Sequence, residues 1–135
     1  MRLRSVLLWI TGSSTPCLSI FKPIIFGKCV PPVFADEKDS FDYWSKREYL
    51  NRAIFSDYID VNDYRRKAYA MEDEFIKEFD KLEESNSTRA ILTAICEECS
   101  NKEQEFVDSY KDIIEGVKYN QLKLKGKWHK RTKLL

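Results

Sequence analysis

Four cysteines and one histidine set the limits on side-chain chemistry in this chain of 135 residues. Cys96 and Cys99 stand in "CEEC", the C-x-x-C spacing used by redox and zinc sites. A structural zinc needs four ligands, and Cys17 and Cys29, twelve residues apart, do not make the second pair. The flanking glutamates Glu97 and Glu98 raise a thiol pKa, which works against a reactive thiolate. Redox C-x-x-C motifs sit where a strand meets a helix, whereas this one follows two turns of helical pattern. The spacing therefore favours two small core residues, which could alternatively form a Cys96–Cys99 disulfide. His129 lies among lysines and an arginine near the C-terminus, a poor setting for a metal ligand or a triad base. No cofactor or metal is implied. What remains is the loop Ser13-Ser14-Thr15-Pro16-Cys17, whose hydroxyls and thiol could face a substrate or simply let the chain turn.

The elements that would position this loop are apolar. "SVLLWIT" and "CLSIFKPIIF" are rich in Val, Ile, Leu, Phe and Trp, and Gly12, two serines and Pro16 lie between them. That pattern predicts two strands joined by a loop. Their continuous apolar runs predict strands covered on both faces, with Pro23 at an edge or bulge because it lacks an N–H. Two strands do not form a stable sheet alone in water, so a second chain, a missing N-terminal half or a second copy is expected to complete it.

Arg2, Arg4 and the run "VLLWI" also have the order of a signal peptide, with cleavage after Ala35. The run spans only five residues before Thr11, and a signal core needs roughly 7–15. A membrane helix needs roughly 20 apolar residues, and no such run is present. The expected setting is the cytoplasm, away from membranes.

Charge divides the chain in three. Residues 1–35 carry four bases and no acid. Residues 36–117 hold all 22 acids against 12 bases, and residues 118–135 carry seven bases and no acid. These bounds mark a strand segment, a helical region and a basic tail. In the middle region Asp39 or Ser40 is expected to cap a helix over about 40–58, with Tyr43, Leu50, Ile54 and Tyr58 as its stripe. Asp60 or Asn62 should cap a second helix whose stripe is Val61, Tyr64, Ala68, Met71, Phe75, Phe79 and Leu82. This stripe faces either the core or a partner helix. Asn86 or Ser87 should cap a third helix with Ile91 or Leu92, Ile95, Cys99, Phe106, Tyr110, Ile113 and Val117 on one side. Ser100-Asn101 is the expected split within it, and Gly116 the expected point of fraying. The tail, with Tyr119 and Trp128 among its bases, could meet nucleic acid. The acidic helical region offers it charge compensation within the same molecule, which makes nucleic acid the less favoured partner.

Taken in order, Trp9–Phe26, Val30-Pro31-Pro32 and Trp44-Ser45-Lys46-Arg47-Glu48 resemble a late segment of the secernin and dipeptidase family of cysteine peptidases. The Ser-Thr-Pro-Cys and Phe-Lys-Pro portions are the most specific, and the resemblance spans about residues 5 to 85. It implies an α+β fold: two strands from an αββα sandwich of the N-terminal-nucleophile hydrolases, then three or four amphipathic helices. In such enzymes an N-terminal cysteine uses its own α-amine as base. Removing at least sixteen residues would be needed to free Cys17 in that way, and the first strand would go with them. The expectation is thus a C-terminal portion of a dipeptidase without its nucleophile, inactive alone. Ser13, Ser14, Thr15 and Cys17 are its substrate-loop candidates, with a peptide as substrate only in the intact enzyme. The alternative is a non-enzymatic helical interaction protein.

Overall fold

The computed structural model describes residues 7–11, 13–25, 31–84 and 89–119. Strands β1 (Leu7–Ile10) and β2 (Lys22–Ile25) are followed by helices α1 (Glu37–Phe55), α2 (Val61–Glu84), α3 (Arg89–Asp108) and α4 (Lys111–Tyr119). Two short 3-10 turns, Pro16–Leu18 and Pro32–Phe34, lie before β2 and α1. Among the described residues the fold is α+β, two antiparallel strands followed by four helices.

The strands pair with Leu8 opposite Ile24 and Trp9 opposite Pro23, so among the described residues each is also an edge, where a proline is tolerated. β2 starts later than its apolar run, because Pro16 starts a 3-10 turn that takes Cys17 and Leu18 out of the ladder. β2 packs on α3 and α2, with Lys22 and Pro23 both buried. β1 departs from the expectation of full cover. Its Leu8 is 40% exposed, and among the described residues the strand pairs only with β2.

The first helix starts earlier than the sequence pattern suggested. Asp36, rather than Asp39 or Ser40, is its N-cap, accepting from the N–H groups of Lys38 (2.9 Å) and Asp39 (3.2 Å). Ser40 instead donates its hydroxyl to the Val33 carbonyl and ties the preceding turn to the helix. The helix ends in a Schellman arrangement, with Tyr58 N–H bonded to Ala53 O and Asp57 N–H to Ile54 O. Asp57 takes the left-handed conformation there (φ 64°), a position usually held by glycine. Tyr58 therefore falls outside the helix and is exposed. Asp60 caps α2 as expected, its carboxylate accepting from Asp63 N–H at 2.7 Å. The caps expected at Asn86 or Ser87 lie outside the described residues.

The α2 stripe is spent on the core: Tyr64, Ala68, Phe75 and Phe79 are buried, so this face is not open to a partner helix. Trp9 of β1 meets Phe79 edge-to-face with ring centroids 6.0 Å apart. The expected split at Ser100-Asn101 is absent, since Ser100 is buried within α3. The break comes at Ser109-Tyr110, where the Ser109 hydroxyl takes the Phe106 carbonyl (2.6 Å) and competes with the helical ladder. Tyr64, Phe106 and Tyr110 form a ring cluster at this joint, with centroids 5.5–5.8 Å apart.

Gly116 does not end α4, which continues to Tyr119. It is exposed, and a Cβ added there would meet nothing within 4 Å. Gly116→Ala is therefore expected to stabilise the protein by roughly 0.5–1 kcal/mol, the entropic cost of glycine in a helix interior. Thermal melting checks this: a rise of a few degrees in Tm is the expected result, and a fall contradicts the helix.

Candidate functional site

Three charged side chains occupy positions where the periodicity of their elements calls for apolar ones. Lys22 opens β2 within the run "SIFKPIIF". Arg47 lies between Tyr43, Leu50 and Ile54 on the buried face of α1. Glu103 falls four residues from both Cys99 and Val107 on the buried face of α3. All three are essentially excluded from solvent.

They meet. Lys22 Nζ lies 3.2 Å from Glu103 Oε2, and Arg47 Nη1 lies 3.0 Å from Glu103 Oε1. Lys22 also donates to the Tyr43 hydroxyl at 2.6 Å, and that hydroxyl donates to both Glu103 oxygens at 3.1 and 3.0 Å. The Lys22 ammonium sits 5.0 Å from the Tyr43 ring centroid and 5.9 Å from that of Phe34. A second polar knot adjoins the first. The Leu18 carbonyl, at the end of the 3-10 turn, accepts from Tyr64 Oη (2.8 Å) and Arg47 Nη2 (3.4 Å). Arg47 thus links both knots, and side chains of α1, α2 and α3 all hold the hairpin segment.

Burial decides how these groups titrate. It pushes the Lys22 ammonium below its usual 10.5; Glu103 opposes the shift and Arg47 adds to it. Burial likewise raises the Tyr43 and Tyr64 hydroxyls; Glu103 adds to both shifts and Arg47 opposes them. Two cations facing one carboxylate leave an excess of positive charge, and Lys22 is the member whose charge the environment resists.

The loop of residues 13–17 is bound to α1 through its two serines. Ser13 Oγ accepts from Asn51 Nδ2 (2.9 Å) and from Thr15 N–H (3.2 Å). The Ser14 hydroxyl donates to Glu48 Oε2 in a very short hydrogen bond, while Glu48 Oε1 also faces Arg52 Nε at 3.4 Å. The Thr15 carbonyl accepts from the Ser19 hydroxyl (2.9 Å) and Leu18 N–H (3.0 Å). Cys17 is exposed with a free thiol. Structure therefore joins Ser13 and Ser14 to Asn51 and Glu48, contacts that spacing alone did not reveal.

Cys96 and Cys99 face the core from α3, fully buried, and are not joined in a disulfide. Burial first, then Glu78 across from α2, pushes the Cys99 thiol up to about 12. It is a thiol without nucleophilic character at neutral pH. Cys29 and His129 lie outside the described residues, as does the tail beyond Tyr119. Among the described residues no group of three His, Cys, Asp or Glu side chains could hold a metal ion. A polar cleft of about 500 Å³ opens between α1, α3 and α4, bordered by Asp39, Asp42, Lys46, Asp108 and Lys118.

No protein-family profile, curated protein or solved structure matches this chain.

The buried cluster makes an asymmetric prediction. Glu103→Gln leaves two buried cations without a counter-charge and is expected to cost about 3–5 kcal/mol. Lys22→Met removes the surplus charge, leaves the Arg47–Glu103 pair neutral, and is expected to cost less than about 1.5 kcal/mol. Denaturant melts compare them, and equal losses would refute the surplus-charge reading. The pH dependence follows by sign. Because folding lowers the Lys22 pKa, the folded state binds fewer protons, and this group's contribution grows as pH rises toward 10.5. The stability of wild type relative to Lys22→Met should therefore increase from pH 8 to pH 10. The raised tyrosines act oppositely: their contribution is present below about pH 10 and is lost above it. Melts at closely spaced alkaline pH values separate the two limbs.

Proposed function

We propose that the chain is a non-catalytic segment whose hairpin forms part of a larger β-sheet, in the manner of the closing portion of a secernin-type dipeptidase. The observation that carries this reading is the state of β1. Its residues Leu7, Leu8, Trp9 and Ile10 include no charge, proline or other device that protects a natural sheet edge, and Leu8 is left half-exposed. Edges of this composition belong inside sheets. β2, meanwhile, is fixed to the helices through Lys22 and Glu103, which holds β1 ready for a further strand. The separate pieces of the secernin-like pattern are also in contact: Ser14 with Glu48, and Leu18 with Arg47. In the intact enzyme an N-terminal cysteine supplied elsewhere would hydrolyse the amide bond of a peptide. The described residues hold no histidine, and the only exposed thiol among them belongs to Cys17. No helix of the described residues is long and apolar enough to cross a membrane, and a cytoplasmic setting belongs to the same proposal.

A second reading, a helical interaction protein, draws on the exposed ring pair Phe41–Trp44 on α1, with centroids 6.1 Å apart. Two measurements decide. The purified chain is expected to leave a panel of dipeptides intact; hydrolysis that Cys17→Ala abolishes would overturn the non-catalytic reading. Native mass spectrometry of material from its own cells is expected to show the chain joined to strand-bearing protein, covalently or as a stoichiometric complex. A lone monomer there would sink sheet completion, and a complex broken by Phe41→Ser with Trp44→Ser would favour the second reading.

A further inference from the structure

We propose that the seam between the end of the hairpin and α1 binds one internal water molecule, held by Arg47 Nε, the Asn51 side-chain amide and the Thr11 hydroxyl. Two of these groups lie on the buried face of α1. Arg47 and Asn51 are each 1% exposed, and neither Arg47 Nε nor Asn51 Oδ1 has a hydrogen-bond partner among the described residues. Thr11 Oγ1, one residue past β1, is buried and without a partner in the same sense. A buried polar atom left unpaired costs more than a typical hydrogen bond contributes, so three such atoms in one seam require an explanation. Contacts printed along the seam bring them together. Ser13 meets Asn51, Ser14 meets Glu48, and the Leu18 carbonyl meets Arg47, so the loop runs antiparallel over the turn of α1 from 47 to 51. Thr11 stands two residues before Ser13, at the Asn51 end.

The three atoms select their ligand by chemistry. The Arg47 Nε–H only donates, the Asn51 carbonyl oxygen only accepts, and the Thr11 hydroxyl does both. An anion would suit the guanidinium and meet the lone pairs of the amide oxygen. A cation would suit that oxygen and meet the guanidinium, in a cluster where two cations already share Glu103. Water both donates and accepts, and three hydrogen bonds are the usual number for a buried water. Turning the amide over does not alter the match. Oδ1 would then accept from the Ser13 hydroxyl, and Nδ2 would donate to the water instead. Spacing agrees. Arg47 Nε and Asn51 Oδ1 are a matched donor and acceptor that do not bond each other. Side chains four apart on a helix have Cβ atoms about 5–6 Å from one another, and two hydrogen bonds through one water span about 4.5–5 Å. The water thereby ties the end of β1 to the same helix turn that supplies Arg47 to the charge cluster.

Two measurements on the full chain test this. A high-resolution crystal structure is expected to show a water oxygen within about 3.2 Å of Arg47 Nε, of one Asn51 amide atom and of Thr11 Oγ1. In solution, water-selective NOE and ROE spectra of nitrogen-15-labelled protein should give a cross-peak at the Arg47 Nε–H. Its NOE and ROE should have opposite signs, the mark of a water that tumbles with the protein rather than one exchanging at its surface. Asn51→Leu fills the seam with an apolar side chain and should abolish the cross-peak. The Thr11, Ser13 and Tyr64 hydroxyls all remain in that variant, so a signal relayed through one of them would persist. Thr11→Val keeps the shape of its side chain, is expected to fold, and should weaken the cross-peak by removing one of the three bonds. A direct bond between Arg47 Nε and Asn51 or Thr11, an ion in the density, the absence of a long-lived cross-peak, or a cross-peak unchanged in both variants would each overturn the proposal.

Discussion

Glu103 carries one negative charge into an interior that already holds two positive ones, and much of the architecture depends on that meeting. Removing a carboxylate from water costs several kcal/mol, and removing an ammonium and a guanidinium costs comparable amounts. None of the three could be buried singly. Together, with the Tyr43 hydroxyl lying between lysine and carboxylate, they offset one another's desolvation and fix β2 against α1 and α3. Apolar contacts alone would let the small hairpin slide or rotate on the helices. Directional hydrogen bonds from Lys22 and to the Leu18 carbonyl give it one position.

The same interaction explains which parts of the fold were legible in the sequence. Periodicity located the helices of the described residues, and the α2 stripe was read residue by residue, because an amphipathic helix records its buried face at a spacing of three or four. Arg47 and Glu103 were not recognised, since charged residues inside an apolar stripe look like interruptions until a partner is found. The signal was nonetheless present: each fills a gap in an otherwise regular series, Tyr43 to Leu50 and Cys99 to Val107. One such gap is noise; a lysine in an apolar strand and two more gaps of opposite sign are a cluster. Local competition accounts for the remaining differences. Asp36 outcompeted Asp39 as cap because it can reach two free N–H groups while Ser40 bonds backward to Val33. The α3–α4 break fell at Ser109 because its hydroxyl could take a helical carbonyl, a choice no stripe records.

The serine-rich loop shows how a pattern that suggests chemistry can be occupied by structure. Ser13 and Ser14 spend their hydroxyls on Asn51 and Glu48, which seats the loop on α1 and leaves Cys17 at the surface without a neighbouring base among the described residues. The two cysteines of "CEEC" are likewise taken into the core, where burial suppresses ionisation. Of the three thiols among the described residues, these two are parts of the packing and Cys17 is not.

Tyr43 and Glu103 are sixty residues apart in the chain. A ribosome adds roughly 5–20 residues per second, so about 3–12 seconds separate the synthesis of the tyrosine from that of its acceptor. During that interval Lys22 and Arg47 exist without the charge that joins them, and the hairpin segment has only its contacts with the first two helices, at the Leu18 carbonyl and at Trp9. The order of synthesis therefore opens a period in which two cations wait for their one counter-charge. It closes only when the third helix has been made.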